Sequence, residues 1–241
     1  MLKKALVTGS AVGIGRSIAL DLASKGFDVA FHYNRSEEAA KQACEEAATH
    51  GVKAIALQAD VTNPEQAKSL VEQTVEQLGG LSVVVNVVGN YLYKLTSEIS
   101  TEEWHEILDS NLNCTFYITQ AAIPYLKAAN WGRIINFATT RAHHVTAREN
   151  HAIYIIAKTG IIIYTKSIAK ELAKDNIKIT ANVIAPGVAE NSIGLEEVVP
   201  LLPMKRPATL QEMNNAVWFF INPEADYITG QVLEVSGGYQ L

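Results

Sequence analysis

Short apolar runs recur along the chain at residues 5–7, 29–33, 54–57, 83–88, 134–137, 177–184 and 232–235. Most are continuous instead of alternating, the pattern of parallel strands buried on both faces. Helical segments lie between them. Ile14, Ile18 and Leu22 fall four apart and make one apolar stripe. Residues 37–48 are rich in Ala and Glu, with Ser36 placed as an N-cap. Thr62 with Glu65, Ser100 with Glu103 and Thr209 with Glu212 each have the spacing of a capping box that opens a helix. Residues 152–173 are apolar on several faces, which predicts a buried helix. Strand and helix alternate from end to end. That order predicts an α/β fold, with residues 1–241 forming a single-domain, Rossmann-type, doubly wound parallel sheet of about seven strands covered by helices on both faces. The irregular stretches 139–151 and 188–203 both follow strands. In such sheets a ligand sits beyond the carboxyl ends of the strands, where strand order reverses.

Composition narrows the function. Of 241 residues 48% are apolar and 19% charged, enough for a large core. The net charge of −5 disfavours non-specific binding to nucleic acid or an anionic membrane, although one local pocket can still hold an anion. Cys44 and Cys114 lack metal-ligand spacing and read as unpaired, small packing residues. The N-terminus passes at once into a strand, and Lys158 interrupts the most apolar later stretch. The expectation is a cytoplasmic protein with no membrane span.

Gly9, Gly13 and Gly15 follow the first strand and open the first helix, in a turn that also carries Ser10 and Ile14. Such a turn brings backbone close to a pyrophosphate, and the helix N-terminus stabilises its charge. The second strand ends in Asn34, Arg35 and Ser36, with no carboxylate before Glu37. An acidic residue there would favour NAD(H) by bonding the ribose 2′-hydroxyl, whereas Arg35 suits a 2′-phosphate. NADP(H) is therefore favoured over NAD(H). Further along, Tyr154 and Lys158 are four apart, which puts both on one helix face. A neighbouring ammonium lowers a tyrosine pKa towards the range useful for acid–base catalysis. Arg141, His143, His144, Arg148 and His151 crowd the preceding loop. Without carboxylate or thiolate spacing they predict no metal site, and the arginines give the pocket a basic edge.

The glycine turn and the Tyr154–Lys158 pair resemble the short-chain dehydrogenase/reductase family, and the resemblance covers the whole chain. It implies that Asp60 and Val61 contact the adenine side, and that Asn86 and Gly89 form the turn after the fourth strand. It also implies that Pro186 and Gly187 lie near the nicotinamide, and that Lys158 holds the nicotinamide ribose while Tyr154 donates a proton. Asn111 matches the family's anchor for a relay water, and Thr139 stands where the family carries a substrate-binding Ser, with Thr140 as the alternative. Val87 and Val88 depart from the family's Asn-Asn-Ala-Gly, and the interval from Thr139 to Tyr154 is longer than the family's. Length and the run from Tyr227 to Gln231 are closest to the 3-oxoacyl-carrier-protein-reductase-like branch. The implied activity is hydride transfer to a carbonyl on a small molecule or an acyl thioester. The implied assembly is a homotetramer, packed through residues 153–164 and 218–220. The segment 189–200 stands at the family's substrate lid and is short, which implies an open pocket. An enoyl reductase would space its Tyr and Lys more widely. A pteridine-reductase-like enzyme and a non-catalytic NADP(H)-binding sensor remain as alternatives.

Overall fold

The computed structural model describes residues 2–145, 147–175 and 178–239. Seven strands form one sheet: β1 (Lys4–Thr8), β2 (Asp28–Tyr33), β3 (Ala54–Gln58), β4 (Val83–Asn86), β5 (Trp131–Phe137), β6 (Lys178–Pro186) and β7 (Val232–Val235). Their order is β3-β2-β1-β4-β5-β6-β7, and every pairing is parallel. The order reverses between β1 and β4, so a crevice opens at their carboxyl ends. The strand expected from residue 177 is β6; Ile177 itself lies outside the described residues.

The sheet divides the core because successive strand residues face opposite sides. Leu6, Ala30, Val84 and Ile134 pack on one side with Leu70, Ile118, Leu126 and Ile168. Val7, Val29, Phe31, Val83, Val85 and Ile135 pack on the other with Ile18, Leu22 and Phe220. The first set of helices is α3 (Pro64–Leu78), α5 (Cys114–Ala128) and α6 (Ala152–Leu172). The second is α1 (Gly13–Ser24), α2 (Glu37–Ala48) and α8 (Leu210–Ile221). The remaining helices, α4 (Thr101–Leu108) and the four-residue α7 (Leu195–Val198), border the carboxyl end of the sheet. By length and composition α6 could cross a membrane, yet Ile153, Ala157, Ile161, Ile168 and Leu172 are buried inside the fold.

Two of the three expected capping boxes form, Ser100 with Glu103 and Thr209 with Glu212. The third, at Thr62, and the expected N-cap at Ser36 do not. Asn63 caps α3, accepting from the Glu65 and Gln66 amides, with Pro64 in the first turn. Thr62 instead donates its hydroxyl to Asp60, 2.7 Å away. Ser36 precedes α2 but makes no capping bond. β4 also ends at Asn86, earlier than expected, because the chain leaves the sheet there for the crevice.

Candidate active site

The glycine turn connects β1 to α1. Gly9 and Gly13 have φ of +65° and +60°, a region that a Cβ disfavours. A Cβ on Gly15 would lie 2.3 Å from the Gly9 carbonyl oxygen. The start of α1 has no side-chain cap and no acidic residue in its first turn. Its first amides therefore lack the usual partners, which suits an anion. A pocket of about 380 Å³ beside the turn is lined by Val12, His32, Asn34, Arg35, Ser36 and Asn90, among others. Arg35 is exposed on its rim, whereas Arg16 on α1 pairs with Glu46 at 2.5 Å.

Two of the expected cofactor residues turn their side chains away from the crevice. The Ser10 hydroxyl is buried, donating to the Val7 carbonyl at 2.7 Å and accepting from the His32 amide at 2.9 Å. Asn86 is likewise internal: its Nδ2 donates to Asn136 at 2.8 Å and to Thr119 at 3.2 Å. Asn136 continues the chain to Thr165 at 2.8 Å, so these groups tie β4 and β5 to α5 and α6. Val61 is buried in the core, Ile14 is partly buried against α1's side of the sheet, and Asp60 accepts from Thr62. Pro186 ends β6 and Gly187 follows it; the Pro186 carbonyl accepts from the Thr140 amide at 3.0 Å.

His32 was not foreseen. Its Nδ1 accepts from the Gly9 amide at 2.9 Å, and its Nε2 lies 3.1 Å from the Ala59 carbonyl. The ring is therefore the neutral tautomer with hydrogen on Nε2, and it braces the ends of β1, β2 and β3. Burial pushes its pKa down to about 4. A polar residue inside the apolar run 29–33 was the available signal.

The chemical end is assembled from three elements. Tyr154 and Lys158 come from α6. Thr139 follows β5, and its hydroxyl makes a polar contact with Tyr154 that favours the phenolate. Asn111 comes from a π-helical turn, residues Asp109–Asn113, that joins α4 to α5. Such turns re-aim side chains and are frequent at functional sites. Asn111 Nδ2 donates to the Asn90 and Ile107 carbonyls, at 2.9 and 3.0 Å. Its Oδ1 is buried with no partner. A Cβ on Gly89 would lie 2.4 Å from that oxygen and 3.1 Å from Lys158 Nζ, so only glycine lets the chain pass between them.

Lys158 is buried, donates to the Phe137 carbonyl at 3.0 Å, and has its pKa pushed down to about 8 by burial. Tyr154 is pushed up to about 12, chiefly by burial. The sequence predicts a tyrosine lowered by its lysine. The structure differs because the lysine's hydrogen bond goes to the Phe137 carbonyl, and desolvation of the phenol outweighs the contact with Thr139 that opposes it. Thr140 is buried with its hydroxyl unpartnered, so Thr139 is the threonine beside Tyr154.

A glycine turn at an uncapped helix start, with an Asn, Thr, Tyr and Lys beyond it on a parallel sheet, is the apparatus of a nicotinamide-dependent oxidoreductase. The chain belongs to the short-chain dehydrogenase/reductase family: residues 9–240 match the family described as enoyl-(acyl carrier protein) reductase. It is 37% identical to the 3-oxoacyl-(acyl-carrier-protein) reductase FabG of Staphylococcus aureus, over 99% of this chain and 98% of that protein. It is 30% identical to a hydroxynaphthalene reductase-like protein of Metarhizium anisopliae, over 98% of this chain and 94% of that one. Among solved structures, a short-chain dehydrogenase from Burkholderia cenocepacia in complex with NADP superposes with a TM-score of 0.90 at 27% identity, covering 99% and 98% of the two chains.

Proposed function

We propose that the protein is an NADP(H)-dependent carbonyl reductase, working in the cytoplasm as a homotetramer. The observation that carries the reading is a continuous row: the unpartnered Asn111 Oδ1 and Lys158 Nζ both lie against Gly89, Lys158 Nζ lies 5.6 Å from the Tyr154 ring, and Thr139 contacts Tyr154. The uncapped start of α1, with Gly9, Gly13 and Gly15, fits the cofactor's pyrophosphate. Arg35, with Asn34 and Ser36, fits a 2′-phosphate, since among the described residues no carboxylate pairs with it. Asp60 and Val61 would border the adenine, and Pro186 and Gly187 the nicotinamide. When bound, the cofactor supplies hydride to the carbonyl carbon.

Tyr154 protonates the carbonyl oxygen, and a pKa near 12 keeps that proton in place until charge develops. Thr139 orients the same oxygen through its hydroxyl. Lys158 holds the cofactor ribose and offers positive charge near the phenol. Asn111 lies at the buried end of this row and links it to a water path for reprotonation. The four-residue interval from Tyr154 to Lys158 supports a carbonyl over a carbon–carbon double bond as acceptor. A 3-oxoacyl thioester, named for several relatives, is the first substrate to try. The exposed Phe116, Ile156 and Ile163 on α5 and α6 support burial against further copies of the chain.

The test is NADPH and NADH oxidation with a carbonyl panel, against Tyr154→Phe. Turnover that prefers NADPH and falls at least a hundredfold in the variant is expected. NADPH binding with no turnover on any carbonyl would replace this reading with that of a cofactor-binding sensor.

A further inference from the structure

Two loops meet in front of Tyr154. Residues 90–96 leave β4, and residues 147–151 enter α6. Three hydrogen bonds to backbone carbonyls join them: the Lys94 amide to the Asn150 carbonyl at 3.0 Å, and the Thr96 amide and hydroxyl to the Glu149 carbonyl at 2.9 and 2.8 Å. Along the first loop Leu92 turns inward onto Ile107 and Ile153, while Tyr91 and Tyr93 remain 58% and 64% exposed. Asn150 Nδ2 donates to the Tyr93 hydroxyl at 3.1 Å. The His151 ring lies 4.9 Å from Tyr93, nearly perpendicular, and 5.6 Å from Tyr91. Tyr91 then meets Tyr154 at 5.0 Å and 83°. Four rings therefore run in unbroken contact from the surface to the proton donor. Burial and the nearby Arg148 hold His151 below its ordinary pKa, which favours the neutral ring.

Exposed ring area is unfavourable in water, and here it is held in place by paired loops beside the reacting group. Ring faces and edges left open in this way attract another ring, stacked with an offset or edge-on. We propose that Tyr91, Tyr93 and His151 form the acceptor subsite and select carbonyl compounds whose reacting carbon belongs to a planar, ring-fused skeleton, in preference to open-chain 3-oxoacyl thioesters. The inference rests on the carbonyl-reductase reading and narrows its substrate. An open-chain acyl group would meet the same wall with flexible methylenes, which lose conformational freedom and offer no quadrupole.

The experiment compares kcat/KM for 2-tetralone and an acetoacetyl thioester at saturating NADPH, in the wild type and in a Tyr91→Leu/Tyr93→Leu double variant. Leucine keeps apolar bulk and removes the ring. Binding of 2-naphthol, a ring that cannot be reduced under these conditions, is measured by calorimetry on the same proteins. The wild type is expected to favour the tetralone, and the double variant to lower the tetralone-to-thioester ratio and the 2-naphthol affinity by about tenfold each. A wild type that favours the thioester, or a ratio and affinity unchanged in the variant, overturns the subsite. Ring-dependent 2-naphthol binding without turnover of any acceptor would keep the subsite and remove the reductase reading.

Discussion

The Lys158 amine lies 5.6 Å from the centroid of the Tyr154 ring and gives its hydrogen bond to the Phe137 carbonyl. Burial moves the two groups in opposite directions, the lysine down to about 8 and the tyrosine up to about 12. Below pH 8 both folded and unfolded chains hold the lysine proton, and the fold bears the full cost of a buried ammonium. From pH 8 towards the lysine's ordinary 10.5 the unfolded chain binds more protons than the folded one, so stability rises with pH. Above pH 10 the unfolded tyrosine ionises first, so stability then falls as pH approaches 12. Burial also pushes the Cys44 and Cys114 thiols up from 9 to about 11, and they pull stability down over the upper part of this window, so the lysine's share is read as the difference between wild type and Lys158→Met. In thermal melts of the cofactor-free proteins that difference should shift in favour of the wild type by about 3 kcal/mol from pH 8 to near 10. A difference that stays constant over that window would refute the burial argument.

His32 makes the complementary prediction on the acid side. Its folded pKa of about 4 lies below the ordinary 6.5, so the fold holds it neutral. As pH falls below 6.5 the unfolded chain takes up the proton first and stability is lost progressively down to pH 4, by about 3 kcal/mol. Asp60 is the charged neighbour that opposes this shift. In His32→Gln the difference between variant and wild type should shrink as pH drops through this range. At neutral pH the variant should bind NADPH several-fold more weakly, because the Gly9 amide loses an aligned acceptor. Equal affinity in the two proteins would mean that the brace does not set the glycine turn.

Local signals carried most of the fold into view, and long-range ones did not. The parallel sheet was legible because each strand is an apolar run between helices, and Tyr154 and Lys158 because their pairing depends only on helix geometry. The capping-box spacing puts the cap of α3 at Thr62, but Asn63 caps it, because Pro64 fits the first helical turn directly after Asn63. The π-helical turn that aims Asn111 has no periodicity of its own, since α4 and α5 continue on either side of it. Ser10 and Asn86 sit at the right places in sequence, yet their side chains satisfy β1, β2 and β5, not the crevice. The pKa of Tyr154 could not be read from its lysine alone, because burial is a property of the assembled site. Tyr91 and Tyr93 gave no signal, since alternation over so few residues also describes an ordinary loop.

Gly89 tests whether the crevice depends on close approach. An alanine Cβ there would sit 2.4 Å from Asn111 Oδ1, well inside van der Waals contact. Asn111 is wholly buried and fixed by two carbonyls, so it has little room to retreat. Gly89→Ala should cost about 1–3 kcal/mol in thermal stability and more than tenfold in kcat/KM. Crystals of the variant should show Asn111 displaced. An alanine accommodated with full activity would show that Asn111 need not stay where it is.

Thr139 and Thr140 are adjacent, and their surroundings assign them different work. The Thr139 hydroxyl contacts Tyr154, whereas the Thr140 hydroxyl is buried with no partner and its amide is held by Pro186. Removing Thr139's hydroxyl should take away one donor from the developing oxyanion, and Thr139→Ala should lower kcat/KM by about a hundredfold. Thr139→Ser keeps the hydroxyl and should recover most of that loss. Thr140→Val preserves shape while deleting an unsatisfied polar atom, so it should keep activity within a few-fold and hold or raise the melting temperature. The three variants, compared by steady-state kinetics and melting, separate the assignments. Loss of activity in Thr140→Val with Thr139→Ala unaffected would move the role to Thr140 and require the turn after β5 to shift by one residue when substrate binds.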